Sequence, residues 1–148
     1  MKIVVPVDGS IHSAQALKVA IDYAKMKGAE ISVISVVPYI GGMEDHEISP
    51  GKRERHMETV EKLADEAVKM ACDILAAENV SSTCTRAILT SVSIPDAIID
   101  FAGKEKIDLV IMGSRGLSPS SGFKMGSVAT QVVKHCPCSV YIVKLPTA

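Results

Sequence analysis

Residues 107–127 read IDLVIMGSRGLSPSSGFKMGS. From Ile107 to Met112 the run is apolar apart from Asp108, the pattern of a strand buried on both faces. Glycine and serine then take over, with Gly113, Gly116, Gly122 and Gly126, and Ser127 opens a helical pattern that runs to His135. Glycine lets backbone N–H groups approach an anion closely and permits positive φ. Gly126-Ser127 at a helix start offers free N–H groups at the positive end of the helix dipole. Arg115 or Lys124 could supply a cation. From glycine content alone two readings stand: a loop that holds phosphates, or an ordinary flexible connection. The P-loop pattern GxxxxGK[ST] is absent, and so is GxGxxG after the first strand.

Outward from this stretch the chain repeats the same alternation. KIVVPV, residues 2–7, is a buried strand in which Pro6 fits only near the end, because proline cannot donate to a ladder. Asp8-Gly9-Ser10 makes a turn, Ser10 or Ser13 caps a helix running to about Lys27, and Gly28 stops it. EISVISVV, residues 30–37, is a second strand closed by Pro38. Residues 39–51 read as a long loop. A helix follows from about Lys52 to Glu78, with Val60, Leu63, Ala64, Ala67, Val68, Ala71, Ile74 and Leu75 at helical spacing and Met57 and Met70 extending that stripe as core filler. Residues 82–89 are a third strand. Ser93-Ile94-Pro95-Asp96 has the form of a capped helix start, and that helix ends near Gly103. The strand 107–112, the helix 127–135 and a last strand, Ser139 to Lys144, complete the chain.

Strands that alternate with helices, with no hairpin between neighbours, imply a parallel sheet covered by helices on both faces. The expected fold is an open five-stranded α/β sheet of order 3-2-1-4-5, Rossmann-like, forming one domain over residues 1–148. In that order strands 1 and 4 meet where the order reverses, which is where open sheets bind ligands. Asp8, at the end of strand 1, then faces the glycine-rich loop at the end of strand 4. An acid there repels phosphate directly but suits a ribose hydroxyl or a metal carried by phosphates.

Composition bounds the function. An apolar fraction of 47% and a charged fraction of 22% suit a globular protein, and with 3% aromatics the core must be built from Val, Ile, Leu, Ala and Met. A net charge of −1 gives no field for nucleic acid or an anionic membrane. The one basic cluster, Lys52, Arg53 and Arg55, is broken by Glu54 and reads as a solvated helix start. No signal peptide and no apolar run of membrane-spanning length stand in the sequence, so a cytoplasmic protein is expected. The four cysteines, Cys72, Cys84, Cys136 and Cys138, lack zinc-site spacing. Cys136-Pro137-Cys138 beside His135 reads as small residues ahead of a buried strand in a reducing compartment, with a metal or redox role as the alternative.

The interval Gly113-x2-Gly116-x9-Gly126-Ser127 resembles the ATP-binding signature of the universal stress protein family, G-x2-G-x9-G-[ST]. The resemblance covers nearly the whole chain. IVVPVDGS with Ser13 and Leu17 is similar to that family's opening, SVISVVP to its second strand, IDLVIMGSRG to its fourth, and GSVATQVVKHCPCSVYIV to its closing helix and strand. It implies a fold of five parallel strands, a stress-response role and ATP as ligand, with Mg2+ or Mn2+ held mainly by the phosphates. It further implies that Pro6, Asp8 and Val36 line the adenosine pocket, that Met112 and Gly113 lie beneath the nucleotide, and that Gly116, Gly126, Ser127 and Val128 hold the phosphates. Gly122 falls outside the signature. Two departures, Ser93 with Ile94 before the proline of the third helix, and Ser139 where proline is common, leave the signature untouched.

The expected function is regulatory: ATP orders the 113–127 loop, and a partner or second subunit reads that state. The alternatives are a slow ATPase or self-phosphorylating enzyme, with Ser118, Ser120 and Ser121 as acceptors, and a nucleotide-free interaction module. A homodimer through the last strand, by Val140, Ile142 and Val143, is expected from its place at the sheet edge.

Overall fold

A computed structural model describes residues 1–38, 50–89, 93–116 and 125–145. The expected loop over 39–51 therefore lies almost wholly outside the described residues, as do Ser118, Ser120, Ser121, Gly122 and Lys124. The elements run β1 (Lys2–Pro6), α1 (Ile11–Lys27), β2 (Glu30–Pro38), α2 (Pro50–Ala77), β3 (Ser82–Leu89), α3 (Ile94–Lys104), β4 (Leu109–Gly113), α4 (Ser127–His135) and β5 (Ser139–Val143). They form a five-stranded sheet of order β3-β2-β1-β4-β5, parallel throughout. Among the described residues no helix is long and apolar enough to cross a membrane.

The apolar runs build two cores because side chains alternate across a strand. On one face Ile3, Val5 and Val7 pack with Ala16, Leu17, Ala20 and Ile21 of α1 and with Ala71 and Leu75 of α2. On the other, Val4, Ile34, Val110 and Met112 pack with Ile98 and Ala102 of α3 and with Ala129 and Val132 of α4. Pro6 is the last residue of β1, opposite Ile34. The ladder bond that Pro6 cannot make is followed at once by Val7 N–H, which donates to the Ile34 carbonyl at 2.8 Å.

Local signals set the helix ends. Ser10 Oγ accepts from Ser13 N–H, and Gly28 closes α1 at φ 65°, a left-handed position that glycine takes without strain. Ser93 Oγ accepts from Asp96 N–H at 3.3 Å and donates to the Asp96 carboxylate at 2.8 Å. The α2 stripe is narrower than its spacing suggests. Ala64, Ala71 and Leu75 are buried, but Leu63 is 58% exposed, Met70 67% and Ile74 44%. At about 100° per residue these three sit roughly a quarter turn off the buried line, and α2 covers only the β2–β3 side of the sheet. Met70 is therefore not core filler.

A disulfide joins Cys72 of α2 to Cys84 of β3, with the Cα atoms 6.5 Å apart. Their spacing of 12 residues carries no recognisable signal, because only the packing of α2 on the edge strand brings them together. Cys136 and Cys138 are free thiols, half-buried between α4 and β5.

Candidate functional site

The reversal of strand order puts the carboxyl ends of β1 and β4 side by side, with β2 beyond β1. A cavity of about 500 Å³ opens there, and Pro6, Asp8, Val36, Met112, Gly113, Gly116, Gly126, Ser127 and Val128 all line it. The residues singled out from the sequence thus share one cavity, although they come from four elements and two loops.

One side of the cavity is the turn after β1. Ser10 N–H donates to Asp8 Oδ1 at 2.9 Å. Asp8 N–H reaches Ser13 Oγ at 3.4 Å, and Ser13 Oγ donates to the Ser10 carbonyl at 3.0 Å. The carboxylate is thereby held by one oxygen, while the other lies toward Gly116: a Cβ built on Gly116 would meet Asp8 Oδ2 at 2.6 Å. Only glycine leaves room for that carboxylate.

The N-terminus of α4 also lines the cavity. Gly126 caps it in extended geometry, φ −63° and ψ 160°, with no side-chain hydrogen bond. Its carbonyl accepts from Thr130 N–H at 3.0 Å, and its own N–H donates to the Ser114 carbonyl at 2.8 Å. Ser114 N–H in turn donates to the Val143 carbonyl at 2.9 Å. The two ends of the loop are thus pinned together beside β4, and this fixes where α4 begins. The first-turn N–H groups of Ser127, Val128 and Ala129 have no acceptor within the helix, and these residues line the cavity.

Gly113, Gly116 and Gly126 do not serve positive φ, since among the described glycines only Gly9 and Gly28 adopt it. They serve close approach. A Cβ on Gly113 would lie 2.8 Å from His12 Cβ and 3.0 Å from the His12 backbone carbon and oxygen. Gly113 is therefore where the first turn of α1 packs onto the end of β4, a structural task that its spacing in the signature does not disclose.

Much of the remaining lining is apolar and was largely missed in the sequence. Val37 of β2, Val60, Leu63 and Ala64 of α2, and Ile94 and Ile98 of α3 also line the cavity. Val60, Leu63 and Ala64 have i, i+3, i+4 spacing, which read as core. In the fold these three residues line the cavity, and Leu63 is exposed. Ser13, Ser35 and Ser114 line it too and are buried. Ser35 carried no signal beyond its place next to Val36. Arg115, named as a candidate cation, also lines the cavity.

An open parallel sheet with a largely apolar pocket at its strand-order reversal, lined also by a helix N-terminus, is an α/β architecture of the kind that binds ligands at that reversal. A model of the universal stress protein family matches residues 1–144, and the chain belongs to that family. A universal stress protein of Methanocaldococcus jannaschii is 34% identical, over 98% of this chain and 82% of that protein. The solved universal stress protein of Archaeoglobus fulgidus superposes with a TM-score of 0.77 at 26% identity, covering 97% of this chain and 98% of its own. The Archaeoglobus fulgidus protein in complex with dAMP superposes with a TM-score of 0.74 at 24% identity, over 97% and 98%.

Proposed function

We propose that this universal stress protein is an ATP-binding regulator whose nucleotide occupies the cavity at the β1–β4 reversal. The observation that carries the reading is the two-part lining. An apolar lining that includes Val36, Ile98 and Met112 suits a purine, and the start of α4, which has no side-chain cap, suits phosphates. Asp8, fixed by Ser10 N–H with one oxygen unengaged by that bond, suits the ribose hydroxyls. The dAMP complex of the Archaeoglobus fulgidus relative supports an adenine nucleotide over other anions.

Gly126, Ser127 and Val128 would hold the phosphates through backbone N–H and the Ser127 hydroxyl, with Gly116 beside them. A divalent cation, Mg2+ or Mn2+, would be carried by the phosphates with Asp8 within the same cavity; it would neutralise phosphate charge. Among the described residues no cluster of three His, Cys, Asp or Glu side chains stands ready to hold a metal by itself, so the phosphates would be its main ligands. Nucleotide would bridge the two halves of the cavity, Asp8 on one side and α4 on the other, and so report its presence to a partner of the cytoplasmic protein. Titration calorimetry with ATP and Mg2+ tests the reading: saturable one-to-one binding is expected, and a folded protein that binds nothing at millimolar ATP would refute it.

A second copy of the chain is the proposed reader of that state. β5 has β4 on one side and lies at the sheet edge, with Tyr141 46% exposed on it. Val140 and Ile142 are half-buried against the core cluster that includes Val110, Met112 and Val132. Val143 is buried in the chain's own core, so pairing would use the open backbone edge rather than that side chain. Light scattering that shows only monomer at working concentration would sink this assignment.

A further inference from the structure

The only disulfide among the described residues sits outside the cavity, on the far edge of the sheet. Cys72 is half-buried on α2 and Cys84 is exposed on β3, which has β2 as its one neighbour. The elements that present the two cysteines also make other contacts. Ala71 and Leu75 anchor α2 in the core, and β3 pairs with β2 from Ser82 to Leu89. The turn between them closes by its own hydrogen bonds, Glu78 N–H to the Ile74 carbonyl at 3.1 Å and Val80 N–H to the Leu75 carbonyl at 3.0 Å, with Asn79 left-handed at φ 56°. Lys25 of α1 adds an ion pair to Glu78. Each element thus has contacts of its own besides the bond. A disulfide with one exposed cysteine is accessible to a small thiol for exchange.

We propose that Cys72 and Cys84 form a reversible thiol–disulfide site that reacts with low-molecular-weight disulfides and thiols. In the forward direction the Cys84 thiolate attacks one sulfur of a small disulfide, forming a mixed disulfide and releasing one small thiol. The Cys72 thiolate then attacks the Cys84 sulfur, forming the Cys72–Cys84 bond and releasing the second small thiol. Two protein thiols are oxidised, one small disulfide is reduced to two thiols, and the two protons lost by the cysteines end on those thiols. The reverse begins with a small thiolate at the exposed Cys84 sulfur and leaves Cys72 as the departing thiolate. Because α2 also carries Val60, Leu63 and Ala64 to the cavity, the bond ties a cavity wall to the sheet edge. The exchange chemistry itself does not depend on any nucleotide.

The test is a redox titration of the full chain in mixtures of reduced and oxidised glutathione, without nucleotide. Samples are quenched with acid and alkylated, and their mass and peptides are then read. The titration is repeated in the double variant Cys136→Ser, Cys138→Ser. In both proteins, oxidising mixtures are expected to yield the linked Cys72–Cys84 peptide and reducing mixtures two alkylated cysteines at those positions. The reduced protein is expected to remain folded and to melt roughly 5–10 °C lower than the oxidised one. In Cys84→Ser the melting temperature is expected not to respond to the mixture. Separate glutathione adducts without the link overturn the proposal. So does a link that persists in folded protein under reducing mixtures, or reduced protein that is unfolded at room temperature.

Discussion

Substitution of Gly113 by alanine separates the structural task of this glycine from any task at the ligand. The new methyl would stand 2.8 Å from His12 Cβ and 3.0 Å from the His12 backbone carbon and oxygen. Ordinary carbon contacts lie near 3.5–4.0 Å, so β4 and the first turn of α1 must part by roughly 0.5–1 Å. Neither side yields easily. Gly113 is itself buried in β4, and just beyond His12 the helix is locked by buried Ser13, Ala16 and Leu17. Overpacking typically costs about 1–3 kcal/mol, and with backbone rather than a flexible side chain on the far side the upper part, about 2–3 kcal/mol, is expected. For a chain of this size that is a fall in Tm of about 5–10 °C. Gly103 is the internal control: it lies in the last turn of α3, and a Cβ there meets nothing within 4 Å. Gly103→Ala is expected to be neutral or to stabilise by about 0.5 kcal/mol. Thermal and urea melts of both variants without nucleotide provide the assay. Gly113→Ala melting within a degree of wild type would refute the close-approach argument and leave the ligand as the reason for that glycine.

Other outcomes follow from the same geometry. Gly116→Ala pushes on Asp8 Oδ2 and, among the described residues beyond its chain neighbours, on no backbone atom within 4 Å; stability is expected to change little, while ATP affinity falls about tenfold, roughly 1.4 kcal/mol, by calorimetry. Asp8→Asn keeps an oxygen for Ser10 N–H but loses the charge and an acceptor, and a loss of similar size, about 1–2 kcal/mol, is expected in ATP binding with Tm unchanged. Ile98→Ala removes a side chain 1% exposed in the cavity lining and is expected to cost about 2–5 kcal/mol in urea unfolding. Burial raises the Cys138 thiol from its ordinary 9.0 to about 12, and the neighbouring Cys136 sulfur adds to the rise. The raised value means that the folded state favours the protonated thiol. Its contribution to stability is complete below about pH 9 and is lost as pH climbs toward about 12. The stability gap between wild type and Cys138→Ala is therefore expected to narrow from about pH 8 to about pH 11, and an unchanged gap would count against that burial.

Strand and helix alternation was legible because buried strands such as VVP in β1 and LVIM in β4 announce themselves by composition, and serine and glycine mark the ends of α1 and α3. The strand order followed, and with it the facing of Asp8 and the glycine loop. What could not be read depended on how far each element reaches over its neighbours. The spacing of Val60, Leu63 and Ala64 describes one face of a helix equally well whether that face meets the sheet or lines a cavity. The same holds for Met70 and Ile74, which lie about a quarter turn from the line of Ala64, Ala71 and Leu75 and are exposed. Gly113 had a correct address and an incomplete reason, since its contact with His12 joins residues a hundred positions apart. Cys72 and Cys84 meet only through the docking of α2 on β3, which no local pattern encodes.

In the proposed complex an adenine nucleotide fills this cavity with its phosphates at the start of α4. Amide chemical-shift mapping of the full chain, titrated with ATP and Mg2+, tests this most directly. Saturable shifts are expected at Ser127, Val128 and Ala129 together with Val36 and Met112, with little change along the Cys72–Cys84 edge. Saturable binding that leaves the α4 amides unmoved, or no shifts at millimolar ATP, would contradict it.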